Sequence, residues 1–254
     1  CVYETDHSHI FIDPEPDATK SFQERKRLFE IPRATWLDYD TKLISSGGGI
    51  FDRSAKSIKL SPKIQKRFEI ASKTITPNDL ILHLLRAEVD LLWLGGIGTY
   101  VKAASEKNID AGDRANDALR IDGRDLRCKV VGEGANLGVT QLGRIEYALA
   151  GGRLNTDSID NSAGVNCSDH EVNIKILLNE SVARKKLTKR QRNILLARMT
   201  VEVSSLVLRD NYLHTQAITY FASRAEELLY HQAGLIRMLE RQGRLNREIE
   251  FPPS

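Results

Sequence analysis

Residues 130–136 read Val-Val-Gly-Glu-Gly-Ala-Asn, a β-branched run that leads into small residues and ends in an amide. Such a run is typical of a buried strand in an α/β sheet, and ligands of these sheets bind just beyond the carboxyl ends of the strands. Small residues there, Gly134 among them, let the backbone approach a ligand closely. Asn136 is therefore a candidate ligand-facing donor and acceptor, or else the N-cap of a helix predicted at 141–150. The local pattern favours neither.

Similar apolar runs occur at 1–4, 9–12, 89–94 and 128–131, each bounded by Gly, Pro, Asn or Asp. Short runs bounded in this way predict strands. Helices are predicted between them at 21–30, 77–87, 100–107 and 141–150, with Thr76 and Pro77 as the capping residue and first-turn proline of the second. This alternation predicts an α/β fold with a partial Rossmann-like, mostly parallel sheet.

After residue 170 the apolar residues recur with a period near 3.6, and almost no helix-breaking residue intervenes. Three long helices are predicted, at about 171–188, 189–210 and 215–243. Thr188 and Gln191 match a capping box at the start of the second, and Gly243 is typical of a helix C-terminal stop. We therefore expect a partial dinucleotide-binding α/β domain at 1–170 and a helical C-terminal region at 171–254 packed on it.

The composition excludes several classes of protein. Hydrophobic residues make up 41% and charged residues 28% of the 254 residues, and the net charge is +3, so neither nucleic-acid nor membrane binding is predicted. The apolar run at 89–97 contains Asp90 and is far shorter than the ~20 residues of a membrane span. Three cysteines without CxxC spacing predict no disulfide framework and no structural zinc, and they favour a reducing, cytoplasmic compartment. Because residue 1 is cysteine rather than methionine, we expect a piece of a longer polypeptide.

A polar run at 155–171 precedes the first of the long helices. A helix N-terminus binds anions such as carboxylates, because its first N–H groups are unpaired and the helix dipole adds positive potential. Capping by Ser168 or Asp169 is the alternative, and it explains part of the run. Asp169-His170-Glu171 lacks the spacing of metal ligands, so no metal site is predicted.

Three further residues, in two segments, are candidates for nucleotide binding. Gly95 and Gly96 follow the strand at 89–94 and superficially match GxGxxG, but the third glycine is missing. Asp6 follows the first strand and could bind a ribose, as the acid that ends the second strand of a Rossmann unit does. The alternative, an aspartate in a turn, is the one that the sequence alone favours.

Five strings, read together, resemble the large bacterial NAD-specific glutamate dehydrogenase family. They are TDHSHIFIDPEPD at 5–17, LISSGGGIFDRSAKSI at 43–58, DLLWLGGIGTYVKAAS at 90–105, the fifty residues from Val130 to Asn179, and LERQGRLNREIEF at 239–251. A more distant likeness to ordinary glutamate dehydrogenases covers two elements. Their EGAN matches residues 133–136, and their NAGGV, with a serine and an acid downstream, is similar to residues 161–165 with Ser168 and Glu171.

The resemblance implies roles for individual residues. Asn136 and Asn161 would contact the nicotinamide half of NAD or hold it near the substrate, and Ser168 would help to bind the distal carboxylate of the substrate. Gly95, Gly96 and Gly134, which follow predicted strands, are the further candidate cofactor-binding residues. Asp6 would bind the adenosine ribose, which favours NAD over NADP because an acid repels a 2′-phosphate. Ser162-Ala163 stands where the family has Ala-Gly, so the family's backbone geometry is not carried over to these two positions.

The resemblance implies the reversible oxidative deamination of L-glutamate to 2-oxoglutarate and ammonia, with this segment supplying part of the NAD cleft and one wall of the substrate pocket. The family's glycine-rich fingerprint and its proton-transfer lysine and aspartate have no match here, so no catalytic residue is assigned and the isolated chain is expected to be inactive. The expected partners are the remainder of its own longer chain and further copies in a homo-oligomer. The alternative is a non-catalytic regulatory or assembly domain that retains a nucleotide-binding fold.

Overall fold

The computed structural model describes residues 1–250, which form two compact units, one from Cys1 to Asn161 and a second from Ser162 onward. The sequence placed this boundary at residue 170.

The first unit combines short strands with helices. Its strands are β1 (Tyr3–Thr5), β2 (His9–Ile12), β3 (Gly49–Asp52), β4 (Ile58–Lys59), β5 (Thr74–Ile75), β6 (Leu91–Leu94), β7 (Val101–Lys102), β8 (Ile121–Asp122), β9 (Val130–Glu133) and β10 (Arg153–Leu154). Its α-helices are α1 (Ala18–Phe29), α2 (Pro62–Arg67), α3 (Pro77–Leu85), α4 (Gln141–Leu149) and α5 (Asp157–Asp160). Short 3₁₀ turns lie at Trp36–Asp38, Thr41–Leu43, Asn108–Ala111, Arg114–Leu119 and Gly123–Asp125.

The strands of residues 1–250 form four separate sheets, two of them parallel and two antiparallel. The order β10-β9-β6 and the pair β7-β8 are parallel, whereas β1-β2-β3 and β4-β5 are antiparallel. The fold is therefore mixed α/β with parallel strands in some sheets, and the single, mostly parallel sheet of the prediction is not observed. The first strand explains the difference: only residues 6–8 separate β1 from β2. A parallel connection needs a dozen or more residues, so this segment makes a hairpin.

The helix predicted at 100–107 is wrong. Val101 is fully buried and pairs in parallel with Ile121, while its backbone N–H and that of Tyr100 donate to the carbonyl of Gly138. A β-branched residue in such a buried ladder fits a strand better than a helix. The helices predicted at 77–87 and 141–150 are confirmed within two residues at each end, and Thr76 caps α3 as expected.

The strand β2 separates two apolar clusters of the first unit. Ile10 and Ile12 point into the larger cluster and Phe11 points the other way, towards Leu28 and Tyr39, as the two-residue period of a strand requires. The larger cluster also contains the most buried side chains of α2 and its C-cap, of α3 and of the parallel strands: Ile64, Phe68, Leu80, Leu84, Val101, Ile121 and Val131.

The second unit is helical as predicted, with different boundaries. Its helices are α6 (Ser162–Ala183), α7 (Lys189–Ser223), α8 (Ala225–Arg241) and α9 (Arg247–Glu250). The capping box is confirmed, because the amide N–H of Gln191 donates to the Thr188 hydroxyl at 3.2 Å and the Thr188 N–H donates to the Gln191 side chain at 2.9 Å. Gly243 follows α8 with a φ of +67°, which suits a C-terminal stop. The break predicted near residue 210 is absent, since no Gly or Pro interrupts α7.

Two structural absences hold for residues 1–250. None of their helices combines the length and the apolar character needed to cross a bilayer. None of their His, Cys, Asp and Glu side chains gather in groups of three that could hold a metal ion.

Candidate functional site

The strands β6 and β9 are parallel neighbours, and their carboxyl ends meet where Leu94 pairs with Glu133. Gly95 and Gly134 follow these two residues, and the Ala135 N–H donates to the Leu94 carbonyl at 3.0 Å. Gly95 and Asn136 therefore lie at the same edge of the sheet. Val131 is buried as expected, but Val130 is 38% exposed.

Asn136 does not cap the helix that follows it. Thr140 is the N-cap of α4, and its hydroxyl accepts from the Gly143 N–H at 3.0 Å. The capping alternative for Asn136 is wrong, which leaves its side chain available at the sheet edge. That side chain is exposed.

The amide of Asn161 meets Asn136 at this edge. Asn161 directly follows α5, and its Nδ2 donates to Oδ1 of Asn136 at 2.5 Å. Among the side chains of residues 1–249, no further partner is found for Nδ2 of Asn136 or for Oδ1 of Asn161. The pair consequently presents one donor and one acceptor side by side.

A buried ion pair supports the turn that carries Asn136. Glu133 is fully buried, and Arg144 of α4 donates to it twice, from Nε at 2.6 Å and from Nη2 at 2.9 Å. Arg144 Nη2 also donates to Asp157 at 2.9 Å. Burial by itself lowers the pKa of the guanidinium, but its bonds to Glu133 and its attraction to both carboxylates outweigh that effect and raise it, so Arg144 stays charged.

Glu133 also binds the far end of the same turn, because the Val139 N–H donates to its carboxylate at 3.1 Å. Sequence reasoning missed this network. A signal was present, since a glutamate at the end of a buried strand needs a cation nearby, and Arg144 is the cation that interrupts the buried face of the next helix.

The glycines at the edge have a structural explanation that the sequence did not reveal. A Cβ placed on Gly132 or Gly134 would overlap the indole of Trp93, which lies across both. By contrast, a Cβ on Gly96 would meet nothing within 4 Å. Gly134 thus makes room for Trp93, and its contact with a cofactor stays a prediction.

Asp6 lies in the turn of the β1-β2 hairpin. Its Oδ1 accepts from the N–H groups of Ser8 at 2.7 Å and His9 at 2.6 Å. Burial raises the pKa of this carboxyl, but the two backbone bonds and the His9 side chain together outweigh burial and leave the pKa below its ordinary value. Asp6 is therefore a turn aspartate in an antiparallel sheet and does not end a parallel strand, which corrects the basis of the ribose assignment. Contact with a ribose itself stays a prediction.

Ser168 lies inside α6, not at its beginning. The helix starts at Ser162, whose hydroxyl accepts from the Asn211 amide at 2.6 Å, and Ser168 is exposed on a later turn. The prediction that Ser168 sits at the helix N-terminus is wrong, and so is the capping alternative. Polar residues can occupy the middle of a helix when their side chains face solvent. The sequence alone did not show that these side chains do so. Its role in substrate binding stays a prediction.

Comparisons with known proteins agree on one family. Residues 2–221 match the family described as bacterial NAD-glutamate dehydrogenase, catalytic domain. The proteins named NAD-specific glutamate dehydrogenase from Pseudomonas aeruginosa and Halomonas elongata are each 58% identical to the chain over 248 residues. The one from Mycobacterium tuberculosis is 49% identical over 255 residues. Each match covers 98% of this chain but only 15% or 16% of the relative's length.

Proposed function

The chain belongs to the bacterial NAD-glutamate dehydrogenase family, and we propose that it supplies part of the NAD cleft and one wall of the substrate pocket of such an enzyme. The intact protein would oxidise L-glutamate to 2-oxoglutarate and ammonia while NAD takes up the hydride from the α-carbon. The chain spans about 15% of the curated relatives that it matches, so the activity is proposed for a longer polypeptide.

The Asn136–Asn161 pair carries the proposal. A primary carboxamide such as that of nicotinamide has one acceptor oxygen and one NH₂ donor. The pair offers the complement, with Nδ2 of Asn136 as donor and Oδ1 of Asn161 as acceptor. It lies at the carboxyl ends of parallel strands, where open α/β sheets bind their ligands. The residues present therefore fit the nicotinamide group.

NAD supplies the hydride chemistry, and the residues of this chain bind and orient it. Gly95, Gly96 and Gly134 are proposed to border the cofactor, and the open space beside Gly96 supports this. The proposal further assigns the ribose to Asp6 and the distal carboxylate of glutamate to Ser168. These two assignments rest on the family resemblance.

The first unit is proposed to be part of a Rossmann-like dinucleotide-binding domain, followed by the helical region. The enzyme is proposed to work in the cytoplasm as a homo-oligomer together with the remainder of its own chain.

Alanine substitutions in the full-length protein test the pair. Asn136→Ala and Asn161→Ala should each raise the KM for NAD by about 2- to 12-fold, the value of one neutral hydrogen bond. Asn173→Ala is the matched control, because this exposed asparagine donates only to a carbonyl of its own helix, at 2.7 Å from Asp169. Unchanged NAD kinetics in both site variants would favour the regulatory or assembly alternative.

The isolated 254-residue chain should form no NADH from glutamate and NAD. The family's proton-transfer lysine and aspartate have no match in it, and general acid–base steps alone contribute about 10²- to 10⁴-fold. Steady-state NADH formation by the purified chain at the rate of the intact enzyme would contradict this expectation.

A further inference from the structure

Leu137, the residue after Asn136, has a left-handed backbone conformation with a φ of +57°. Residues other than glycine avoid this region because Cβ crowds the backbone. The Leu137 side chain is 64% exposed, so side-chain packing does not enforce the conformation. Such strain persists when the surroundings fix the backbone, and it is frequent at functional sites.

Two side chains hold the backbone of Leu137 from opposite directions. Its N–H donates to Oδ2 of Asp157 at 2.8 Å, and its carbonyl accepts from the hydroxyl of Thr99 at 2.7 Å. Asp157 begins α5, the helix that Asn161 follows. Thr99 comes from the segment after β6, so the bond joins the two loops that leave the parallel strands.

Thr99 is itself fixed in place. It is 5% exposed, its N–H donates to Asp113 at 2.8 Å, and its carbonyl accepts from Nε of Arg120 at 2.9 Å. The side chain of Arg120 is fully buried, and it also donates to the Asp113 carbonyl at 2.5 Å. The backbone N–H and the carbonyl of Thr99 are therefore both hydrogen-bonded, which fixes the position of the hydroxyl that binds Leu137.

We propose that Thr99 and Asp157 are positioning residues for the cofactor site, a role that rests on the proposed function of the asparagine pair. They fix the strained peptide at Leu137 and thereby hold the Asn136 amide against Asn161 before NAD arrives. When the binding group is already ordered, NAD binding carries no free-energy cost for ordering it, so the affinity is higher. Neither residue needs to touch NAD.

Thr99→Val in the full-length protein tests the proposal, since valine keeps the shape of threonine and removes the hydroxyl. The KM for NAD should rise by about 2- to 12-fold, and Thr99→Ser should restore it. The matched control is Tyr147→Phe, which removes a buried hydroxyl that donates to the Cys128 carbonyl at 2.8 Å, next to the amino end of β9. Tyr147→Phe should lower the melting temperature by about as much as Thr99→Val does, but it should leave the KM for NAD unchanged.

Amide hydrogen exchange separates failure of this inference from failure of the proposed function. In Thr99→Val, exchange in residues 134–140 should accelerate several-fold without NAD present, and Tyr147→Phe should leave it unaltered. If Asn136→Ala raises the KM for NAD while Thr99→Val does not, the positioning role is overturned and the proposed function stands. Unaltered exchange in Thr99→Val also overturns the positioning role, whatever the kinetics. Accelerated exchange with wild-type NAD kinetics in every variant rejects the cofactor site and with it this inference.

Discussion

The side-chain amide of Asn161 donates a hydrogen bond to the side-chain oxygen of Asn136, although 25 residues separate the two in the chain. The bond exists because β6 and β9 end together and because α5 returns the chain to the same edge, where Asp160 accepts from the Glu133 N–H at 3.0 Å. The two asparagines therefore form one hydrogen-bonded group, so the effects of substituting them should be coupled.

Substitutions of the two asparagines should not be additive. Each alanine removes both a contact to the carboxamide and the bond that orients the other asparagine. The double variant should therefore raise the KM for NAD by less than the product of the two single effects, with a coupling of about 0.5 to 1.5 kcal/mol. A double-mutant cycle on the full-length enzyme measures this coupling, and strict additivity would show that the asparagines act independently.

The buried pair of Glu133 and Arg144 predicts a large effect on stability. Arg144→Met leaves the fully buried Glu133 carboxylate without its cation, which should lower the free energy of unfolding by about 3 to 5 kcal/mol. Urea unfolding measures the change.

The matched control is Arg127→Met. Arg127 donates to both oxygens of Glu69, at 2.9 and 3.0 Å, and its Nε donates to the Arg86 carbonyl at 2.7 Å. The side chains of Arg127 and Glu69 are 41% and 64% exposed, so water screens the pair. Its loss should lower the free energy of unfolding by about 1 kcal/mol or less. Equal losses in the two variants would contradict the structural role of the Glu133 pair.

The sequence was sufficient for features set by local patterns. The strand at β9, the glycines after it and the capping box of Thr188 depend on neighbouring residues, and the structure has all three. The sequence was insufficient for features that depend on contacts between residues far apart in the chain. The start of α6 at Ser162, the hairpin around Asp6 and the indole over Gly134 depend on packing partners far along the chain. The bond between Asn136 and Asn161 is of this second kind, and only the family resemblance placed the two asparagines in one site.

Asp113 should make stability depend on pH in the acid range. The Asn116 amide and the Thr99 N–H donate to its carboxylate and hold its pKa below the ordinary value, against the opposing effect of burial. The stabilisation is therefore complete above about pH 4 and is lost as the pH falls through the lower folded pKa.

Urea unfolding of the wild type and of Asp113→Asn between pH 2 and pH 6 checks this dependence. The difference in unfolding free energy between the two should shrink as the pH falls. A difference that stays constant over this range would mean that the Asp113 charge does not stabilise the fold.

Gly134→Ala should displace the indole of Trp93 and destabilise the protein. A Cβ at this position would overlap the ring, and no neighbouring backbone shift is needed if the ring itself moves, because Trp93 is 58% exposed. Overpacking of this kind lowers the free energy of unfolding by about 1 to 3 kcal/mol. Because the exposed ring can move away, we expect a loss near the lower value. Trp93 fluorescence of the 254-residue chain, recorded in a Trp36→Phe background so that one of its two tryptophans remains, should shift to the red as more of the ring meets water. Trp93→Ala should then abolish the penalty of Gly134→Ala, since the group that the methyl overlaps is gone. If the penalty persists in that double variant, the glycine is required by the backbone itself and not by the indole above it.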